Sequence, residues 1–251
     1  MAAFASAGAD TPLQVIRIGV STGPQAEIME EVKGIAASHG LDLQIVRFDD
    51  ENKIDAALDA GKLDANSFQD LPYLDQQKQA HGYHLVDVAY TVTLPLAFYS
   101  KKLTSLRGLK PGDTVALPKT PGDCARALIL LQNYGFITFP DTAGLHATPR
   151  DISTNPRKLK FITLAPAQLP GALDKAAFAA IPWAVAEQAG LQPARDAIGM
   201  EDARSPYANV IVVRAQDKDQ PWVARLVAAY HSEPIKHYIL TRYQDSVRRP
   251  W

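Results

Sequence analysis

Two short runs hold the side chains best able to do chemistry. Residues 64 to 77 read DANSFQDLPYLDQQ and crowd amides, a serine, two aromatic rings, a proline and several acids into fourteen positions. Residues 118 to 127 read PKTPGDCARA, with Asp123 where it can cap a helix and Arg126 in the first helical turn. A cation in a first turn opposes the helix dipole, so Arg126 calls for a reason. One reason is a ligand carboxylate or phosphate, which a guanidinium holds in a bidentate fork that lysine cannot copy. The other is a solvated or local partner, and the residues alone weigh the two equally.

Catalytic chemistry finds less support. The chain has no G-x-S-x-G, no G-x-x-x-x-G-K-[ST] and no G-x-G-x-x-G after its first strand. Cys124 lies near a helix start but no base is identified for it, so it reads as a small buried helix residue. His81 and His84 have weak metal-like spacing and read as satisfied surface histidines. Asp49, Asp50 and Glu51 read as a solvated acidic loop. No catalytic residue, metal or cofactor is therefore expected.

Composition narrows the partners. Lys and Arg number 26 against 27 Asp and Glu, so no global field draws the chain to nucleic acid or an anionic membrane. Apolar residues make up 47%, enough for a sizeable core in 251 residues, and no apolar run approaches the ~20 residues of a membrane span. The single cysteine excludes an internal disulfide and leaves the compartment open. The opening MAAFASAGADTP has the A-x-A spacing of a signal-peptidase site without a basic or long apolar region. It fits the end of an export signal behind an added methionine, and it also fits a disordered cytosolic N-terminus.

The elements that must position these residues alternate. VIRIGVS, LDLQIVRF, DTVALP, KLKFITL, KAAFAAI and ANVIVVR read as strands, and HLVDVAYTVTLPLAFYS as a long apolar strand region. Between them, GPQAEIMEEVKGIAASHG, NKIDAALDAG, PYLDQQKQAHG, DCARALILLQNYG, PWAVAEQAG and a stretch from Pro221 read as helices. This predicts an α/β fold of two lobes with mostly parallel sheets. Lobe 1 is expected to comprise 14–92 and 210–251 and lobe 2 93–209, with residues 1–13 as a leader remnant. The crossings fall near 91–98 and 205–212. Open α/β sheets bind ligands outside the carboxyl ends of their strands, which directs attention to VSTGPQAE, ANSFQDLPY, PKTPGDCARA and SPYANV.

At DANSFQDLPYLDQQ, followed by GYHLVDVAYTVTLPLAFYSKKLTSLRGLKPGDTVALP, the sequence resembles the NlpA family, the methionine-binding lipoproteins of bacterial ABC importers. The likeness runs on through RALILLQNYGFI, APAQLPGALDKAAFAAI and DARSPYANVIVVR, and covers nearly everything after residue 14. It implies a two-lobed, type II-like periplasmic binding-protein fold that hinges closed on a ligand in the cleft. It also implies a monomer in the periplasm, a lipid anchor on an N-terminal cysteine that this chain lacks, and delivery of an amino acid to an ABC permease in the inner membrane. The rival is an enzyme or sensor on the same fold.

The resemblance also implies roles. Phe68 and Tyr73 match the aromatic pocket, Arg126 the arginine that pairs with the ligand carboxylate, and Asn209 the asparagine that bonds the amino-acid backbone; Tyr90 completes the expected set. Three positions depart from the family pattern. Asp70 stands where histidine is common, Glu51 where a pocket tyrosine is usual, and Pro182 replaces an asparagine. Together they imply that free methionine is not the best ligand and that a polar or basic amino-acid derivative, or a short peptide, stands as a candidate beside it, unless Asp70 and Glu51 turn outward or pair locally.

Overall fold

The computed structural model describes residues 12–251, so all but the last two residues of the expected leader remnant lie outside them. In chain order the elements are β1 (Gln14–Ser21), α1 (Pro24–Ser38), β2 (Leu41–Phe48), α2 (Ile54–Asp59), β3 (Ala65–Asp70), α3 (Leu71–His81) and β4 (Leu85–Tyr90). Then come β5 (Ala97–Tyr99), β6 (Thr114–Pro118), α4 (Pro121–Asn133), β7 (Lys160–Leu164), α5 (Leu169–Ala172), β8 (Phe178–Ile181), α6 (Trp183–Gln188), α7 (Pro193–Asp196) and β9 (Ala197–Met200). The chain ends with β10 (Asn209–Arg214), α8 (Pro221–Tyr230) and α9 (Glu233–Tyr243).

Two compact units emerge: one runs to Thr91 and resumes at 209–241 and 251, the other holds 92–208 and 242–250. The chain leaves the first unit at Thr91 and returns at Asn209, within the expected crossings. The segment 242–250, expected in lobe 1, clusters instead with the second unit. Its bonds give the reason: Arg248 exchanges backbone hydrogen bonds with Thr93, and the Ser246 carbonyl accepts from the Trp183 indole at 3.0 Å.

The first unit is a sheet ordered β2-β1-β3-β10-β4, parallel among β2, β1 and β3. β10, the returning strand, runs antiparallel to both neighbours. The second sheet is ordered β7-β6-β8-β5-β9, with β5 antiparallel to both neighbours. Each sheet is thus mixed rather than mostly parallel, because a strand arriving from the other unit inserts antiparallel beside the home strands.

Local sequence explains the framework of the first unit. Ile16, Ile18 and Val20 alternate into the core of β1. α1 opens with Pro24 in its first turn and buries Ile28, Met29, Val32 and Ala36, spaced to one helical face. A Cβ at Gly19 would lie 2.5 Å from Leu63 Cδ1 and 3.0 Å from Ile54 Cγ2, so a side chain there would force these two apolar side chains to shift. Beneath α2 and α3, Ile54, Leu58, Leu63, Phe68, Leu74 and Val210 form one apolar cluster.

Candidate functional site

The crowded 64–77 run resolves into strand, cap and helix. β3 carries Asn66, Ser67, Phe68 and Gln69, all buried, and ends at Asp70. Asp70 is the N-cap of α3: its Oδ1 accepts the Tyr73 backbone N–H at 2.9 Å, with Pro72 in the first turn. Gly82, left-handed at φ 72°, closes the other end of the helix. The acid in this run therefore has a structural job in starting α3.

The carboxyl end of the first sheet gathers most of the expected ligand residues. Ser21 ends β1, Glu51 lies in the 3₁₀ turn Glu51–Lys53 that follows β2, and Asp70 ends β3. The Ser21 and Glu51 side chains hydrogen-bond. Crowding by protein pushes the Glu51 carboxyl above its ordinary range against that bond, and the nearby Asp70 charge adds to the push. Phe68 is 5% exposed and meets Tyr73 edge-on, ring centroids 5.9 Å apart at 79°. Burial first, then the charges of Asp55, Glu51 and Asp50, push the Tyr73 phenol up to about 12, so it remains a donor at neutral pH. Asn209 donates its side-chain N–H to the Phe68 carbonyl at 3.1 Å, beside a β-bulge in β10. Tyr90 ends β4 with a 46% exposed ring, and its carbonyl lies 2.7 Å from His231 Nε2.

Behind this wall lies a polar network absent from the sequence expectations. Asp55 of α2 is 2% exposed, and its Oδ1 accepts from Asn66 Nδ2 at 2.8 Å and Gln69 Nε2 at 2.6 Å. The amides of the 64–77 run thus serve the interior. Asp55 was visible in NKIDAALDAG only as a polar residue on an apolar helix face, a weak signal by itself.

The second unit presents a different constellation. α4 starts earlier than expected, because Pro121 suits a first helical position: Thr120 is the N-cap, Asp123 lies in the first turn rather than capping it, and Arg126, the sixth residue, falls in the second turn. Its guanidinium is held by Glu201: Nε reaches both carboxylate oxygens at 2.7 and 2.8 Å, and Nη2 reaches Oε2 at 2.5 Å. Nη2 also donates to the Leu94 carbonyl at 2.7 Å, and the guanidinium carbon lies 4.9 Å from the centre of the Tyr207 ring. Glu201 in turn accepts the Leu96 backbone N–H at 2.8 Å. This explains a cation in the N-terminal half of a helix: its charge is met by a side chain from 75 residues away. Burial pushes Asp123 above its ordinary range, with Arg126 opposing and Glu201 adding to the shift.

Pro182 stands apart from these groups as the N-cap of α6, where its carbonyl accepts the Val185 and Ala186 N–H groups. Cys124 is 7% exposed, and burial together with Asp123 pushes its thiol up, which makes it unreactive. His81 stacks on Tyr83 at 5.1 Å rather than facing His84. Among the described residues, no three His, Cys, Asp or Glu side chains converge to hold a metal ion, and no helix is long and apolar enough to cross a membrane.

The expected ligand residues therefore fall into two sets, with Glu51, Phe68, Asp70, Tyr73, Tyr90 and Asn209 in the first unit and Arg126 and Pro182 in the second. Glu201, the partner of Arg126, was missed. Its only signal was an acid following an apolar tetrad in AIGMED, and nothing local announces a partner so far along the chain.

Comparison with known proteins extends over the whole of both units. The family model for NlpA lipoprotein matches residues 16–251. The D-methionine-binding lipoprotein MetQ of Salmonella typhimurium is 44% identical over 223 residues, covering 88% of this chain and 82% of the relative. Outer membrane lipoprotein 3 of Mannheimia haemolytica is 42% identical over 94% of this chain and 90% of its own length. A solved nutrient binding protein from Burkholderia cenocepacia, bound to methionine, superposes with a TM-score of 0.78 at 43% identity, covering 94% of this chain and 100% of that one.

Proposed function

Because the chain belongs to the NlpA lipoprotein family, we propose that it is the solute-binding protein of an ABC importer for methionine or a closely related amino acid. The observation that carries this reading is the end-to-end match, at 43% identity, to a binding protein solved with methionine in place. The protein binds its solute without transforming it, works outside the inner membrane, and passes the solute to a membrane permease. Relatives named lipoproteins support an anchored location.

Each unit, taken by itself, offers groups that an amino acid can use. The Arg126–Glu201 pair presents both signs, a guanidinium for a carboxylate and a carboxylate for an ammonium. Phe68 and Tyr73 offer an aromatic edge for an apolar side chain. Loss of the guanidinium is expected to cost roughly 1.5–3 kcal/mol of binding, the usual size for a bond to a charged group.

A second reading of the ligand rests on Glu51. It shares the carboxyl end of the sheet with Asp70, whose charge adds to the upward push that burial exerts on the Glu51 carboxyl, so a cationic group there would be favoured over a thioether. Pro182, which has no N–H and no side-chain amide, removes donors the family pattern supplies. A basic or strongly hydrogen-bonding amino-acid derivative is therefore placed beside methionine. Native mass spectrometry for a co-purified solute, followed by a thermal-shift panel of L- and D-methionine, methionine dipeptides, basic amino acids and polyamines, separates the two. Tight methionine binding with every cationic compound silent removes the second reading, and silence across the panel removes both.

A further inference from the structure

The Asp55 network contains two unmet acceptors. Asp55 Oδ1 already takes N–H groups from Asn66 and Gln69. Its second oxygen, Oδ2, and the Gln69 carbonyl oxygen Oε1 are both buried and find no donor among the described residues. Buried acceptors are nearly always satisfied, and two orphans on side chains already bonded to each other point to one missing hydrogen.

Among the described residues, no cation supplies it. The groups acting on the Asp55 carboxyl are burial, which pushes its pKa up, and the two amides, which pull it down less. The other groups around it are Tyr73 of α3, within the Asp55 field, and Glu51 and Asp50 of the preceding turn, which act on the same phenol. Arg214 of β10, which packs against α2, spends its guanidinium on the Leu58 and Leu63 carbonyls and on Asp64 and Asp217. A buried carboxylate without a counter-charge is costly, and protonation is the usual escape.

A carboxylic acid and a primary amide are complementary. The amide N–H donates to one acid oxygen while the acid O–H donates to the amide oxygen, closing a ring of two hydrogen bonds. Half of that ring is present in the 2.6 Å bond from Gln69 Nε2 to Asp55 Oδ1. A proton on Oδ2 completes it and satisfies both orphans.

We propose that Asp55 is held as a neutral carboxylic acid at neutral pH, closing an acid–amide ring with Gln69, and that it is the positioning residue for the β3 wall. Asn66 and Gln69 flank Phe68, so the ring sets the strand from which Phe68 and Asp70 project. The proton also spares the Tyr73 region a further negative charge beside Glu51, Asp50 and Asp70. The positioning role rests on the solute-binding reading; the protonation does not. A carboxyl raised in the fold stabilises most at low pH, and that contribution falls as pH rises through the raised value.

The test uses the full chain with ¹³C-labelled aspartate. Asp55, assigned by its loss in Asp55→Asn, is expected to keep the shift of a neutral acid through pH 7. Asp55→Asn supplies an N–H in place of the O–H, so it should bind whichever methionine enantiomer the wild type binds within about twofold and lose the fall in stability with rising pH. Asp55→Ala should bind about tenfold or more weakly, ~1.4 kcal/mol. An ionised shift at pH 7, including one from a carboxylate bridged by buried water, overturns the protonation. Asp55→Asn binding as poorly as Asp55→Ala overturns the ring even if the alanine variant folds badly. A wild type that binds neither enantiomer sinks the solute-binding reading, while the carboxyl shift still decides the proton.

Discussion

Each unit buries acidic groups beside its sheet, and the two handle them in opposite ways. In the second unit, Glu201 is matched by the Arg126 guanidinium at two nitrogens and by a backbone N–H. In the first, Asp55 meets only amides, and one of its oxygens has no donor among the described residues. The matched pair lets both groups stay charged, whereas the amide-bonded acid, without a counter-charge, is favoured in its neutral form. A buried acid is thus half of an ion pair in one unit and an amide-bonded group in the other.

The largest effect is expected from breaking the matched pair. Arg126→Ala leaves Glu201, 5% exposed, without its counter-charge, and should lower folding stability by about 3–5 kcal/mol in denaturant titrations. Adding Glu201→Ala should recover part of that loss, because the stranded charge is gone; a double variant as unstable as the sum of the singles would mean the two do not interact. The contrast sharpens at Asp55, where replacement by Asn is expected to be nearly silent in binding, nearly silent in stability at low pH, and stabilising at neutral pH, where only the wild type must take up a proton on folding, unlike any neutralisation at Arg126.

A smaller effect separates cap from ligand group at Asp70. Asp70→Ala removes the bond to the Tyr73 N–H and should cost about 1 kcal/mol of stability, while Asp70→Asn keeps the cap and should stay within a few tenths. If a cationic solute binds, Asp70→Asn should weaken it with stability unchanged, a result that a purely structural acid does not give. The smallest change is expected at the exposed Lys101–Asp174 pair, where Lys101→Ala should fall within about 0.5 kcal/mol by thermal unfolding.

Much of this was legible in the sequence. The alternation of strands and helices and the α/β class follow from period and punctuation, because β1, α1 and β2 each bury the face their spacing advertises. β3 was not legible: ANSFQD has the composition of a loop, and it is a strand because it pairs with β1 and β10 while Asp55 accepts from its buried amides. β9 is four residues long, too short for a period to show. At the site, the aromatic and arginine positions could be marked in advance, but the partners of Arg126 and of Asn66 lie 75 and 11 residues away, and no local pattern encodes such pairings.

The central claim is that this chain holds an amino acid of the methionine class and leaves it unchanged. Titration calorimetry with L- and D-methionine, with recovery of the solute afterwards and mass analysis of it, tests that directly. Saturable one-to-one binding of at least one enantiomer, lost or strongly weakened in Arg126→Ala variants that remain folded, with the solute recovered intact, is the predicted result. No binding of either enantiomer by the wild type, or recovery of a chemically altered solute, would contradict it.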